Sequence, residues 1–153
     1  MILNKTKLSI KTRIYNASLI SGNKKTVEKN LLKSLKKIQK MTNKDHTQIL
    51  KLAIKNLTPT LKMDKQKMKR RKRKANQEIP TFIRNNFLRV NLALKYITQN
   101  SNNRAESNQF GTKLADEIIS SANFNSSSID KKTELQNKVL LQKTLFFKYR
   151  WKK

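Results

Sequence analysis

The chain has 153 residues, 36% of them hydrophobic, a length and composition that suit one compact domain with a modest core. Thirty-six Lys and Arg against nine Asp and Glu give a formal charge of +27, a self-repulsion that calls for a polyanion to neutralise it in service. The lack of Cys excludes disulfides, thiolate metal sites and a Cys nucleophile. With Gly22 and Gly111 the only glycines there is no Gly-rich phosphate loop, and apolar runs no longer than Val139-Leu140-Leu141 exclude a transmembrane helix.

The first 27 residues contain no acid, yet Arg13 is their only arginine, which does not suit an Arg-rich transit segment. Ile10, Ile14, Ala17, Leu19 and Ile20 predict a first helix ending at Gly22 as its C′ glycine. Val27, Leu31, Leu35 and Ile38, with Leu32 and Met41 beside them, follow the three-four spacing of a second helix, with lysines at 29, 33, 36, 37 and 40 on its other faces. Thr42 and Asp45 have the spacing of a capping box for a third helix through Ile49, Leu50, Ala53, Ile54 and Leu57, which stops before Pro59.

Residues 60–80 lack helical period and contain Lys67-Met68-Lys69-Arg70-Arg71-Lys72-Arg73-Lys74. Such a block repels itself and must be an exposed arm or loop. The charge is uneven, +20 over residues 1–76 and +7 over 77–153. A fourth helix carries Phe87, Val90, Leu94 and Ile97, widened by Leu88, Leu92 and Tyr96, and Asn100-Ser101-Asn102-Asn103 reads as a connection. Phe110, Leu114, Ile118 and Ala122 mark a fifth helix with Asp116 and Glu117 pointing outward. Asn123 to Ser128 is a polar loop, and Ser127 with Asp130 caps a sixth helix carrying Leu135, Val139, Phe146 and Tyr149. The fold class is all-α, a six-helix bundle-like body interrupted by the basic segment.

No constellation supports catalysis. His46 is the only histidine and lies beside Asp45 at a helix start, where it suits a surface or capping role. Asp116 and Glu117 are consecutive, so on a helix they diverge by about 100° and cannot work as an acid–base pair. No metal-ligand spacing occurs, and no cofactor is expected. The basic block suits a nucleic-acid arm ahead of a nuclear address or a membrane contact. Few aromatics and no DNA-reading motif point to backbone and shape recognition of a folded RNA.

The order of motifs resembles the family of small-subunit ribosomal protein seven. Gly22-Asn23-Lys24-Lys25 resembles the family's glycine and double lysine between the first two helices. Ala53-Ile54-Lys55-Asn56-Leu57-Thr58-Pro59 is similar to its A-x-x-N-x-x-P helix end, and Ala75-Asn76-Gln77-Glu78-Ile79-Pro80 to its return strand. Leu92-Ala93-Leu94-Lys95-Tyr96 resembles L-A-L-R-W, and Lys113 to Ile118 the fifth helix. Lys131-Lys132 precedes the last helix, and Tyr149-Arg150-Trp151 matches the terminal Y-R-W. Two departures stand out: Arg73-Lys74 replace the hairpin glycines, and Asn123 to Ser128 replaces a Gly-rich loop.

The resemblance implies a protruding basic β-hairpin over 60–80 between the third and fourth helices, and a non-enzymatic structural role in the small subunit. It further implies binding to the 3′ head domain of the rRNA, head assembly, neighbouring ribosomal proteins, and proximity to exit-site tRNA and mRNA. On this reading Lys67, Lys69, Arg70, Arg71, Lys72, Arg73 and Lys74 neutralise phosphates along the arm, with Arg13, Arg84 and Arg89 adding to the surface. Lys24, Lys25, Lys131 and Lys132 lie at helix starts or turns, where N–H groups also face phosphate. Lys5, Lys7 and Lys11 belong to an extended basic segment, residues 1–10 and just beyond, that orders on RNA. Arg71 to Lys74 and Tyr149, Arg150 and Trp151 are the tRNA- and mRNA-proximal candidates, with Trp151 assigned to packing on the body ahead of stacking on RNA.

Lys, Asn and Ile, whose codons are A/T-rich, make up 58 residues. With the resemblance reaching nearly to residue 10, this predicts a protein made inside the mitochondrion, a plastid or bacterial cytoplasm being the alternative. The competing function is a nuclear or nucleoid DNA-binding protein that uses the same block. Neither a membrane nor a small-molecule substrate is expected.

Overall fold

The structure, a computed structural model, describes residues 10–19, 22–70, 73–103 and 109–142, with side chains left aside at 65–70 and 73–77. Six helices and one hairpin lie among them, in the order α1 (Ile10–Ser18), α2 (Lys24–Thr42), α3 (His46–Leu57), β1 (Leu61–Arg70), β2 (Arg73–Phe82), α4 (Asn86–Asn103), α5 (Phe110–Ala122) and α6 (Ser127–Leu141).

The three-four spacing of apolar residues builds the core. Leu31, Leu35 and Ile38 of α2, Ile49, Leu50, Ala53, Ile54 and Leu57 of α3, and Ala93, Leu94 and Ile97 of α4 close around Leu114, Ala115, Ile118 and Ala122 of α5, with Ile14 of α1 joining them. Helix α5 is the central element and packs on α2, α3, α4 and α6. Its approach to α2 depends on Gly111, where a Cβ would stand 2.7 Å from the carbonyl oxygen of Asn30. Leu32, Met41 and Leu88, at the edges of the predicted stripes, face solvent instead. Phe87, expected on the core stripe of α4, is also exposed, because it lies in the first turn of that helix, beyond the core.

Several predicted ends move. Helix α1 stops at Ser18, so Gly22 is not its C′ residue, although its φ of +74° is one that glycine adopts without strain. Thr42 does not cap α3; it is the last residue of α2 and its hydroxyl donates to the Ile38 carbonyl at 2.6 Å. Asp45 is the cap, accepting from the backbone N–H of Thr47 at 3.2 Å, after Asn43 has closed α2 in the left-handed region. Helix α3 ends as predicted, with the Thr58 N–H on the Ile54 carbonyl and Pro59 buried next in sequence.

Asn100 to Asn103 is not a connection but the last turn of α4, with Asn100 and Ser101 buried. Ser126, not Ser127, caps α6, its side chain accepting from the Ile129 N–H. Between α5 and α6 the chain reverses through a Schellman motif: the Asn125 N–H reaches the Ser120 carbonyl at 2.9 Å and the Phe124 N–H the Ser121 carbonyl at 3.4 Å. Phe124 occupies the left-handed position at φ +59°, where glycine is usual.

The hairpin is antiparallel, its register running from Leu61 opposite Phe82 to Arg70 opposite Arg73. Its root is anchored by buried Ile79, Pro80, Thr81 and Ile83, and β1 lies against α6. There the Thr81 hydroxyl donates to Asp64 at 3.1 Å and Lys62 pairs with Asp64 at 2.7 Å. Phe146 and Tyr149, predicted on the sixth helix, lie outside the described residues.

Candidate nucleic-acid interface

The first turn of α6 is tied to α4 and α5 by a chain of hydrogen bonds. Glu117 is fully buried, which corrects the expectation that it points outward. It accepts from the Ser128 hydroxyl at 2.5 Å and the Ser128 N–H at 3.2 Å. The Asn100 side-chain amide donates to the Ser128 oxygen at 2.9 Å, and the Lys131 ammonium donates to the Asn100 carbonyl oxygen. Each donor in this relay points toward the carboxylate, so the chain carries a cation's polarity inward from Lys131 to Glu117 and joins α4, α5 and α6. Asp116, by contrast, faces partly outward and pairs with Lys37 at 2.7 Å.

A second clamp is centred on Asn56. Its side-chain amide donates to the carbonyls of Ser121 at 3.2 Å and Ala122 at 3.0 Å, and its own carbonyl accepts from the Lys132 ammonium at 2.5 Å. Burial lowers the pKa of Lys132 from its ordinary value. Lys131 and Lys132, both half-buried, therefore set the entry of α6 with part of their donor capacity; an ammonium has three N–H groups, which leaves others for a phosphate.

The remaining predicted cations are distributed over several elements. Lys24 and Lys25 are exposed in the first turn of α2, and Lys11, expected in the extended N-terminal segment, lies instead on helix α1, exposed. Arg84 is exposed just beyond β2, and Arg89 donates through Nε to the Ile83 carbonyl at 2.7 Å. Arg13 of α1 lies over the ring of Phe87 of α4, with its guanidinium carbon 4.7 Å from the ring centre. Lys67, Lys69 and Arg70 fall on β1, and Arg73 and Lys74 on β2, so the hairpin brings both halves of the basic block into one ladder. Lys5, Lys7, Arg71, Lys72, Tyr149, Arg150 and Trp151 lie outside the described residues.

Among the described residues no group of three or more His, Cys, Asp and Glu is placed to hold a metal, and no helix is long and apolar enough to cross a membrane. His46 is the first residue of α3, with Nδ1 3.3 Å from the Asp45 carboxylate. Sequence reasoning missed the roles of Asn56, Asn100, Glu117 and Ser128. One signal was present: Leu114, Glu117, Ile118 and Ser121 share the three-four spacing of the buried face of α5.

Residues 2–139 match the family model described as ribosomal protein S7p/S5e. Among curated proteins, the chain is 30% identical over 154 residues to the small ribosomal subunit protein uS7c of Bigelowiella natans, covering 94% of this chain and 93% of that one. It is 32% identical over 140 residues to the small ribosomal subunit protein uS7 of Heliobacterium modesticaldum, covering 92% of this chain and 85% of that one. The uS7c of Euglena longa is 31% identical over 144 residues, with 88% and 78% covered.

Proposed function

Because the chain belongs to the ribosomal protein S7p/S5e family, we propose that it is a non-catalytic structural protein of the small ribosomal subunit that binds the 3′ head domain of the rRNA. The observation that carries this reading is the match over residues 2–139 to a family of ribosomal proteins, in a chain of charge +27. At that charge, lysine and arginine contacts to phosphate dominate affinity, and a rigid helical body supplies the shape that distinguishes one folded RNA from another.

The body seats on the head domain and supports its assembly among neighbouring ribosomal proteins, while the hairpin and the C-terminal residues lie near exit-site tRNA and mRNA. The wealth of Lys, Asn and Ile, 58 residues in all, supports synthesis from an A/T-rich organellar genome, and we place the protein in the mitochondrion. Curated relatives carry both bacterial and organellar names, so location is tested separately, by fractionating cells that express the tagged full chain.

The binding test is a competition at physiological salt. Labelled 3′ head domain from the cognate rRNA is challenged with unrelated RNA and duplex DNA of equal length. A preference for the head domain of about a hundredfold or more, about 2.7 kcal/mol, supports the reading. Indifference among the three sinks it and leaves generic phosphate binding, with the DNA-binding function in front.

A further inference from the structure

Helices α1 and α4 line a half-open cavity of about 430 Å³. Phe87, Asn91, Lys95 and Thr98 project into it from one face of α4, at successive four- and three-residue steps, and Arg13 and Asn16 face them from α1. The Arg13 guanidinium lies over the Phe87 ring, 4.7 Å from its centre, while the ring stays 42% exposed. Arg13 Nε is buried and has no hydrogen-bond partner among the described residues.

We propose that this cavity receives one unpaired RNA nucleotide, its base stacked on the Arg13–Phe87 pair and its phosphate on Lys95. The proposal rests on the rRNA-binding reading above. A guanidinium lying on a phenyl ring leaves two flat outer faces, one cationic and one aromatic, each of the kind on which unstacked bases settle. The side-chain amides of Asn16 and Asn91 each offer both a donor and an acceptor, as the edge of a base requires. Lys95 is exposed and supplies a charge for the attached phosphate. No acid is among the described residues that line the cavity, and its volume lies in the range of about 300–1,000 Å³ typical of small-ligand sites. The backbone and carboxylates of an acidic peptide would satisfy the amides and the two cations but leave the flat Arg13–Phe87 surface without a planar counterpart.

The test uses the full chain and the labelled 3′ head domain of the cognate rRNA. Phe87→Ala removes the stacking surface and no charge, so affinity falls about tenfold while the salt dependence keeps its slope. Phe87→Trp restores binding. Arg13→Lys keeps the charge, loses the plane, and weakens binding as Phe87→Ala does. Base-directed chemical probing shows one unpaired nucleotide protected by the wild type and open with Phe87→Ala. Phe87 is outside the apolar core cluster, so the variant still unfolds cooperatively above the assay temperature, which a thermal melt checks. Wild-type affinity and wild-type protection with Phe87→Ala overturn the proposal alone. A wild-type chain that does not prefer the head domain overturns the parent reading, and this one with it. Saturable micromolar binding of nucleoside 5′-monophosphates without RNA makes the cavity a free-nucleotide site and also overturns the proposal.

Discussion

The hydroxyl of Ser128 stands 2.5 Å from Oε1 of Glu117, a carboxylate with no exposed surface, and both lie at the joint of three helices. A buried carboxylate without donors would be strongly destabilising. Here the hydroxyl and N–H of Ser128 supply them, so the entry of α6 is fixed by the needs of one side chain on α5.

Glu117→Leu removes the acceptor and leaves the Ser128 N–H buried opposite a methyl group. We expect a loss of about 1–3 kcal/mol in unfolding free energy, read as a lower urea midpoint at constant slope. A variant as stable as the wild type would mean that the relay through Asn100 and Lys131 reorganises freely.

Gly111→Ala tests the contact of α5 with α2. Alanine improves helix propensity by about 1 kcal/mol, but its Cβ would meet the Asn30 carbonyl oxygen at 2.7 Å, and backbone at both sides must move. Steric cost of about 1–3 kcal/mol prevails, so thermal denaturation shows net destabilisation.

Phe124→Gly acts in the opposite direction. The ring is 67% exposed and the residue sits at φ +59°, so little packing is lost and left-handed strain of about 1–2 kcal/mol is relieved. The glycine costs about 0.4–1 kcal/mol through a more flexible unfolded chain, which leaves a net gain between about 0 and 1.6 kcal/mol. A lower unfolding midpoint would show that Phe124 contributes contacts beyond the described ones.

Asp45 gives α3 a pH-dependent start. Hydrogen bonds from the Thr47 hydroxyl, then the Thr47 N–H, hold its carboxyl below the usual pKa. A folded pKa below the unfolded value of about 3.9 contributes stability that is fully present above that value and is lost as pH falls through the folded pKa. Asp45→Ala should therefore lower the unfolding midpoint at neutral pH, with the difference from wild type shrinking in acid. Asp45→Asn caps without ionising and keeps most of the neutral-pH stability. Parallel melting curves across the acid range check both.

Replacing residues 69–74 with serine should flatten the salt dependence of RNA binding by roughly 0.7–0.9 in log–log slope for each phosphate that is no longer neutralised. Filter binding over a salt series measures it. An unchanged slope would send the block to a protein partner instead.

The helical body was legible because apolar side chains recur at the helical period, and Leu114 and Ile118 stand in the core where that spacing puts them. Polar residues that are buried by mutual hydrogen bonding defeat the same argument. Asn100 and Ser101 read as a connection because amides and hydroxyls compete for the backbone in isolation; here Asn100 serves Ser128 and Lys131, and the Ser101 hydroxyl bonds back to the Ile97 carbonyl at 2.7 Å. Glu117 read as solvated for a like reason. Of the candidate interface, the clustering of charge was visible in the sequence, whereas the meeting of Arg13 with Phe87, 74 positions away in the chain, depends on how α1 lies on α4. The motif around Asn56 was recognisable, but its purpose, a tie across three helices, belongs to tertiary structure.

The hairpin's strands are ten residues each, and at roughly 3.4 Å per residue they extend about 30 Å from root to turn. Physiological salt screens charges over about 8 Å, a fraction of the ladder's length, so charge carried by the far end of the ladder and charge on the helices interact only weakly. On the proposed rRNA-binding function, the body and the far end of the ladder are two points of attachment joined by one paired arm, and their overall avidity exceeds what either would reach alone. Shortening the ladder would leave every lysine on the body in place and still cost that advantage.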